Sequence, residues 1–196
     1  MTYTIVGLGN SGEAYEGTRH NTGRMILEAF RHTFDFSEWK TDPKKQAHIS
    51  RGVIGKHTVI LVLPDLFMNQ SGIAVRNFVK STKAAERLVV VYDELDLPLG
   101  RFKIAFARGS GGHKGVLSIE KKLQTNAFVR LRVGITPTTP TGKLKKPKGE
   151  EKVVAFILGS FTPGEQKMLT KIKKDVVRAL ESIVTEGRMS AMNRFN

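Results

Sequence analysis

His20 is the residue of this sequence best suited to chemistry at neutral pH. It lies in a polar run, Thr18-Arg-His-Asn21, a short way after the turn Val6-Gly-Leu-Gly-Asn10 that ends an apolar opening strand. Catalytic groups are commonly carried by loops that follow strands, so a histidine in this setting faces a site more plausibly than a core. The chain has no cysteine, which excludes thiol nucleophiles and leaves a neutral imidazole as the leading candidate for a general base.

Three further stretches at predicted strand ends could converge on His20. Asn10 lies in the first turn, Asn69 follows the third strand, and Asp93 follows the fourth. A carboxylate on the second nitrogen of an imidazole fixes its tautomer and raises its basicity, which suits Asp93. An asparagine amide can orient a carbonyl or stabilise developing oxyanion charge, which suits Asn10 and Asn69. No serine lies in a nucleophile-elbow pattern, so the sequence favours attack by activated water over a covalent intermediate.

Each of these positions also has a purely structural interpretation. Asn10 could be a turn former, Asn69 a helix N-cap and Asp93 a cap at a tight turn. Phe67 could belong to the core, and His113, inside a glycine cluster, could contact phosphate or pack rather than act as a second base.

The sequence predicts neither a metal nor a nucleotide cofactor. No two histidines have zinc-ligand spacing, so there is also no closely spaced histidine pair with a glutamate between its members. Gly7-Leu-Gly-Asn-Ser-Gly12 matches the dinucleotide fingerprint, but the polar, glycine-interrupted segment that follows does not predict the helix that this motif needs.

The chain carries a large excess of positive charge. Its 32 lysines and arginines outnumber its 18 aspartates and glutamates and give a net charge of +14. Such an excess can serve solubility alone, but cations clustered beside a polar site are typical of proteins that contact nucleic-acid phosphates. Two groups stand out: Lys143, Lys145, Lys146 and Lys148 in one segment, and Lys167, Lys171, Lys173, Lys174 and Arg178 in the last predicted helix.

The same sequence argues against a membrane protein. No apolar run is long enough to cross a bilayer, and the start, Met1-Thr-Tyr-Thr-Ile-Val-Gly7, is typical of a strand rather than of a secretory signal. The last helix also intersperses Asp175 and Glu181 with its cations, which disfavours a membrane surface. We therefore expect a cytoplasmic protein.

Apolar periodicity predicts one α/β domain over residues 1–196, with a mixed twisted sheet flanked by helices. Strands are expected at 3–8, 48–54, 57–63, 88–92, 101–107 and 129–135, with a hairpin at Gly55-Lys56. Helices are expected at 22–36, within 67–80, at 116–123 and, as one long C-terminal amphipathic helix, at 163–186. Its packed side would carry Met168, Leu169, Ile172, Val176, Ala179, Leu180 and Ile183. Residues 136–152, rich in Pro, Thr, Gly and Lys, are expected to form a mobile basic flap or linker.

Taken together, these stretches resemble the bacterial-type peptidyl-tRNA hydrolases across essentially the whole chain. The resemblance implies a monomeric α/β enzyme that hydrolyses the ester joining a peptide to the 3′ ribose of tRNA after premature drop-off from the ribosome, without a cofactor. The segments that carry it are Val6-Gly-Leu-Gly-Asn10, Tyr15, Thr18-Arg-His-Asn21, Phe67-Met-Asn69 with Ser71-Gly72, Tyr92-Asp-Glu-Leu-Asp-Leu-Pro98 with Gly100, Gly111-Gly-His113 and Arg130-Leu-Arg-Val-Gly-Ile135.

The resemblance also implies roles for individual residues. His20 would be the base that activates water, Asp93 its orienting carboxylate, and Asn10 a group that tells an N-blocked aminoacyl group from a free one. Asn69 would hold the substrate near the scissile ester.

Other positions are expected to contact substrate or tRNA. Tyr15 and Phe67 would contact the 3′ end, because aromatic rings stack on unpaired bases. His113 and Lys114 are expected to contact substrate or phosphate, and the basic flap and final helix would bind the acceptor-stem phosphates.

Three positions depart from the family pattern. Ser11 replaces a usual proline, Leu66 a usual threonine, and Lys114 an asparagine that contacts substrate. An ammonium can donate to a carbonyl or phosphate but cannot accept, so Lys114 predicts weaker peptide positioning or a compensating phosphate contact.

The sequence is also compatible with two other functions. An RNA-binding protein on the same fold with reduced or lost hydrolysis would share the charge, and Lys114 is the feature that favours it. A general carboxylester or peptide hydrolase is disfavoured by the basic surface.

Overall fold

The apolar runs of the sequence form a seven-stranded mixed sheet in the computed structural model, which describes residues 1–196. Its strands are β1 (Thr2–Gly7), β2 (Lys40–Asp42), β3 (Ala47–Ile54), β4 (His57–Pro64), β5 (Leu88–Pro98), β6 (Phe102–Phe106) and β7 (Val129–Thr136). They lie in the order β2-β3-β4-β1-β5-β7-β6. The strands β4, β1, β5 and β7 are parallel to one another, so their carboxyl ends meet at one edge. The predicted α/β class and the β3–β4 hairpin are confirmed.

Helices cover both faces of this sheet because successive side chains of a strand point to opposite sides. On β1, Ile5 belongs to one apolar cluster and Val6 to the other. The helices are α1 (Thr22–Thr33), α2 (Ser71–Val75), α3 (Thr82–Ala85), α4 (Lys114–Leu123), α5 (Glu150–Leu158), α6 (Pro163–Thr185) and α7 (Arg188–Phe195). Helices α1, α6 and α7 pack on the Ile5 face, whereas α2 and α4 pack on the Val6 face.

Several predicted element boundaries were wrong. The first helix ends at Thr33 rather than at residue 36, and Asp35 follows with a φ of 50° that no helix accommodates. Of the helix expected within 67–80, only α2 (Ser71–Val75) is α-helical. The fourth predicted strand continues through Asp93 to Pro98 instead of ending at residue 92, because Asp93 pairs with Val133 of β7.

The C-terminal part differs from the prediction in its details. The long helix α6 is present, with Thr162 and Glu165 forming a capping box at its start. Met168, expected on the packed side, is 48% exposed and lies against the Gly100 turn. The six other residues predicted for that side are buried.

Four elements were not predicted: β2, α3, α5 and α7. Helix α5 overlaps the end of the expected flap at 136–152, which also contains a bridge between Thr138 and Leu144. The mobility of this segment stays a prediction.

Candidate active site

The candidate site lies at the carboxyl edge of the parallel strands, where two segments converge on β5. The loop after β1 carries Asn10, the 3-10 turn Arg19–Asn21 carries His20, and β5 itself carries Asp93. The start of α1 approaches the sheet closely, since a Cβ on Gly23 would lie 2.3 Å from the Val91 carbonyl oxygen. Glycine at position 23 therefore lets the His20 turn lie directly beside the end of β5.

The buried carboxylate of Asp93 joins two histidines. The Nδ1 atom of His20 is 3.0 Å from both carboxylate oxygens, and the Nε2 atom of His113 is 3.0 Å from Oδ1. A proton on His20 Nδ1 allows that atom to donate to Asp93. The Nε2 atom of His20 then carries a lone pair and has no hydrogen-bond partner within the protein. This is the tautomer that a general base needs.

His113 is fully engaged by the protein. Its Nε2 atom donates to Asp93, while its Nδ1 atom accepts a 3.4 Å hydrogen bond from the Val116 backbone N–H at the start of α4. Because both ring nitrogens are occupied, this arrangement disfavours a second base at His113 and supports a role in fixing Asp93.

Electrostatics keep the Asp93 carboxylate ionised. Burial alone raises the pKa of Asp93, but its electrostatic interactions and hydrogen bonds with His20 and His113 outweigh that effect and hold the pKa well below the ordinary value. Burial, with the nearby Glu94 carboxylate, raises the pKa of Tyr92 to about 12, so its phenol stays neutral.

Asn10 belongs to a second hydrogen-bonded network beside the first. Its side-chain Oδ1 accepts from the Met68 backbone N–H at 2.8 Å. The Asn21 side chain accepts from the Asn10 backbone N–H at 2.8 Å and donates to the Asn10 carbonyl at 3.0 Å. The Nδ2 group of Asn10 is thus left as a free donor. Asn21 was not singled out from the sequence, although it ends the same polar run as His20.

A cavity of about 170 Å³ opens next to this cluster. His20, Asp93, His113 and Lys114 line one side, so four of the predicted site residues share one cavity. The other wall comes from α5 and the segment before it: Lys146, Glu150, Val153, Val154 and Ile157.

Two ion pairs cross the mouth of this cavity. The Nζ atom of Lys114 lies 3.5 Å from Glu150, and Lys146 lies 2.5 Å from Asp96. Lys114, the main departure from the family pattern, is therefore held by an acidic side chain across the cavity.

The remaining predicted site residues lie outside this cavity. Phe67 is 61% exposed, so its core interpretation was wrong. Asn69 is exposed in the 3-10 turn Met68–Gln70 and is not a helix N-cap, since Gln70 holds that position before α2. Tyr15 is half-buried in the 3-10 turn Glu13–Tyr15. The Asn10 contact to Met68 ties the Phe67–Asn69 turn to the site.

The three side chains joined at Asp93 could also offer metal ligands. The ligand atoms of His20, Asp93 and His113 all lie within 4.8 Å of one another, so chain spacing alone was a poor argument against a metal. Both ring nitrogens of His113, the Nδ1 atom of His20 and both oxygens of Asp93 are used in the hydrogen bonds described above. The absence of a metal stays a prediction.

Most of the cations singled out from the sequence are exposed. Lys143, Lys145, Lys146 and Lys148 are all exposed, as are Lys167, Lys171, Lys174 and Arg178 on α6. A further cavity of about 200 Å³ is lined by Arg108, Arg130 and Arg132 together with the glycine-rich residues 109–111. None of the helices has the length and apolar character needed to cross a membrane.

A mixed α/β sheet with a buried imidazole–carboxylate pair beside a cavity at its carboxyl edge is suited to an enzyme that uses a general base, as hydrolases do. A family model described as peptidyl-tRNA hydrolase matches residues 4–196. This chain is 39% identical over 197 residues to the peptidyl-tRNA hydrolase of Aquifex aeolicus, with 98% of this chain and 95% of the relative covered. It is 40% identical over 199 residues to that of Roseiflexus sp., with 99% and 85% covered. The chain belongs to the peptidyl-tRNA hydrolase family.

Solved structures agree with this assignment. A crystal structure of peptidyl-tRNA hydrolase from Acinetobacter baumannii superposes with a TM-score of 0.86 at 32% identity, covering 100% of this chain and 94% of that one. A peptidyl-tRNA hydrolase in complex with N-propanol gives 0.87 at 33% identity with the same coverage.

Proposed function

We propose that this protein hydrolyses the ester bond between a peptide and the 3′ ribose of tRNA and so returns tRNA to use. The observation that carries the proposal is the His20 imidazole, with Nδ1 held by the buried Asp93 and Nε2 directed to a cavity. Membership of the family supports the substrate class.

The proposed reaction follows from this geometry. His20 Nε2 takes a proton from water as the water oxygen attacks the ester carbonyl, and Asp93 stabilises the imidazolium that forms. The tetrahedral intermediate then collapses, the bond to the ribose 3′ oxygen breaks, and His20 returns the proton to that oxygen. The products are a peptide carboxylic acid and tRNA with a free 3′ hydroxyl.

Asn10 is proposed to contact the peptide end of the substrate. Its Oδ1 atom is used by Met68, so its Nδ2 group is the atom left to donate to a carbonyl oxygen. A neutral amide suits an N-blocked aminoacyl group, which carries no ammonium charge near this position.

The cations are proposed to bind the tRNA. The lysines of the 143–148 segment and the exposed cations of α6 would contact acceptor-stem phosphates, whose counterions are released on binding. The exposed Phe67 and half-buried Tyr15 would stack on the unpaired 3′ nucleotides, with Asn69 holding the substrate between them and Asn10. We also propose that the protein acts as a cytoplasmic monomer.

A second candidate is an RNA-binding protein with reduced hydrolysis. The observation that favours it is Lys114, which is paired with Glu150 across the cavity where the family has an asparagine.

The experiment that tests the proposal is release of N-acetyl-aminoacyl groups from tRNA by the wild type, His20→Ala and the matched control His32→Ala. His32 is exposed on α1, away from the cavity. In His20→Ala, loss of the base should lower kcat by about 10²- to 10⁴-fold. The wild type and His32→Ala should hydrolyse N-acetyl-aminoacyl-tRNA at equal rates and leave unblocked aminoacyl-tRNA intact. A folded wild type that binds tRNA without hydrolysing it would establish the RNA-binding alternative.

A further inference from the structure

Arg19, the neighbour of His20, has its side chain turned away from the cavity and buried between two helices. It is 8% exposed. Its NH2 group forms a 2.8 Å ion pair with Glu165 at the start of α6, and its NH1 group donates to the Phe156 carbonyl of α5 at 3.3 Å. The guanidinium also lies 4.4 Å from the centre of the Phe156 ring and 5.3 Å from that of Phe161.

The position of this charge suits both helix ends. The last carbonyls of a helix lack internal partners and carry partial negative charge, so a guanidinium at the end of α5 is favourable. Glu165 lies in the first turn of α6, where a carboxylate is favourable, and its Oε2 atom also accepts from the Thr162 backbone N–H at 2.7 Å. The Arg19–Glu165 pair thus joins the end of α5 to the start of α6.

Backbone contacts reinforce the same connection. The Arg19 N–H donates to the Gly159 carbonyl at 3.0 Å, and Thr18 forms a bridge with Ser160. The turn that carries His20 is therefore bonded through both main chain and side chain to the segment that follows α5.

Helix α5 depends on such contacts. It has nine residues, no side-chain N-cap at Gly149 and no fully buried residue, whereas isolated helices shorter than about 12 residues are marginal in water. Its Val153, Val154 and Ile157 nevertheless form the apolar wall of the cavity that His20 faces.

We propose that Arg19 is a positioning residue that holds α5 against the His20 turn and so sets the apolar wall of the cavity relative to the catalytic imidazole. The inference rests on the proposed function. It assigns Arg19 to the placement of the substrate part that occupies the cavity and not to the ionisation of His20.

The test compares Arg19→Gln, Arg19→Lys and Glu165→Gln with a matched control, Arg31→Gln. Arg31 is equally buried on α1, but its ion pairs are with Glu28 and Glu38 and it does not line the cavity. The first readout is amide hydrogen exchange of residues 150–158, which needs no substrate. Exchange there should accelerate in Arg19→Gln, less in Arg19→Lys and Glu165→Gln, and not in Arg31→Gln.

The second readout is steady-state kinetics with N-acetyl-leucyl-tRNA and N-acetyl-glycyl-tRNA. In Arg19→Gln, KM for the leucyl substrate should rise about tenfold, as expected for one lost partner of a buried polar group, with a smaller change for the glycyl substrate. The pH dependence of kcat/KM should superpose on that of the wild type, and Arg19→Lys should restore part of the loss.

Unchanged exchange in α5 together with unchanged KM would overturn the inference, as would a loss confined to kcat with a displaced pH dependence. If Arg19→Gln does not fold, Arg19→Lys and Glu165→Gln decide the same question. A wild type without hydrolytic activity would overturn the proposed function, while the exchange experiment would still decide whether Arg19 holds α5.

Discussion

Two carboxylates of this protein are each held by several donors, one in the cavity and one on the outer part of α1. Asp93 accepts from His20 and His113. Glu28 accepts two hydrogen bonds from Arg31, a third from the Trp39 indole, and also pairs with His32; we call these four residues the Glu28 cluster. In both, electrostatic interactions and hydrogen bonds with the partner side chains outweigh the effect of burial and hold the pKa of the carboxylate below its ordinary value.

The two clusters differ in whether a side chain that donates to the carboxylate keeps an unused hydrogen-bond acceptor. The Glu28 cluster does not line the cavity that His20 faces, and it connects α1 to the segment that follows it. His20, by contrast, keeps a ring nitrogen free beside a cavity. A carboxylate with a depressed pKa is thus a poor indicator of a catalytic site by itself, and an unused acceptor on one of its partners is the better one.

The largest expected contrast is in activity. In Asp93→Asn, the new amide can donate to His20 Nδ1, which places the imidazole proton on Nε2 and removes the base. We expect kcat to fall about 10³-fold or more, whereas Glu28→Gln should keep wild-type kcat and KM. Hydrolysis of N-acetyl-aminoacyl-tRNA by the two variants measures this. Equal losses of kcat in the two variants would contradict a catalytic role for Asp93 that Glu28 does not share.

A second contrast concerns stability and should be smaller. Glu28→Gln removes charge-assisted hydrogen bonds worth about 1 kcal/mol at this half-exposed site, which corresponds to about 2–4 °C in Tm for a chain of this size. Because the pKa of Glu28 is lowered in the folded state, its contribution is complete above the pKa of the unfolded carboxyl group and is lost as the pH falls through the folded pKa.

The Tm difference between wild type and Glu28→Gln should therefore be present at pH 6 and shrink toward pH 3, as thermal unfolding followed by circular dichroism would record. Asp93 has the same direction of pKa shift, so its acid dependence should have the same sign. A difference that grows as the pH falls would contradict the assignment for Glu28.

The sequence predicted the centre of the site better than its surroundings. Apolar runs predicted that Asp93 follows a central strand and that the loops at strand ends gather along one edge, which was enough to expect His20 and Asp93 to be close. The direct pairing of β1 with β5 is seen only in the structure. The role of His113 could not be read in the same way, because its contact with Asp93 depends on where α4 begins. Helix α5 was missed because its apolar residues line a cavity and an exposed surface instead of one core-facing stripe. Arg19 was missed because its partners lie 137 and 146 residues along the chain.

The smallest expected effect is at Lys114, where the sequence predicted a change in substrate binding. The Lys114 side chain is 65% exposed, and the 3.5 Å pair of its ammonium group with Glu150 spans the mouth of the cavity. A pair of this kind is worth about 0–1 kcal/mol, and a substrate that enters the cavity must displace it. We therefore expect Lys114→Asn to lower KM by about two- to threefold with kcat nearly unchanged.

The matched variant Glu150→Gln separates the pair from a direct contact of Lys114 with substrate. If the pair itself opposes entry, Glu150→Gln should lower KM as well, and the double variant should show no additional decrease. If Lys114 instead contacts a phosphate, Lys114→Asn should raise KM and reduce the salt dependence of tRNA binding by about one counterion, whereas Glu150→Gln should lower KM because it frees the ammonium. Unchanged kcat and KM in both variants would mean that the lysine at this position has no part in binding, and that the departure from the family pattern is neutral for the reaction.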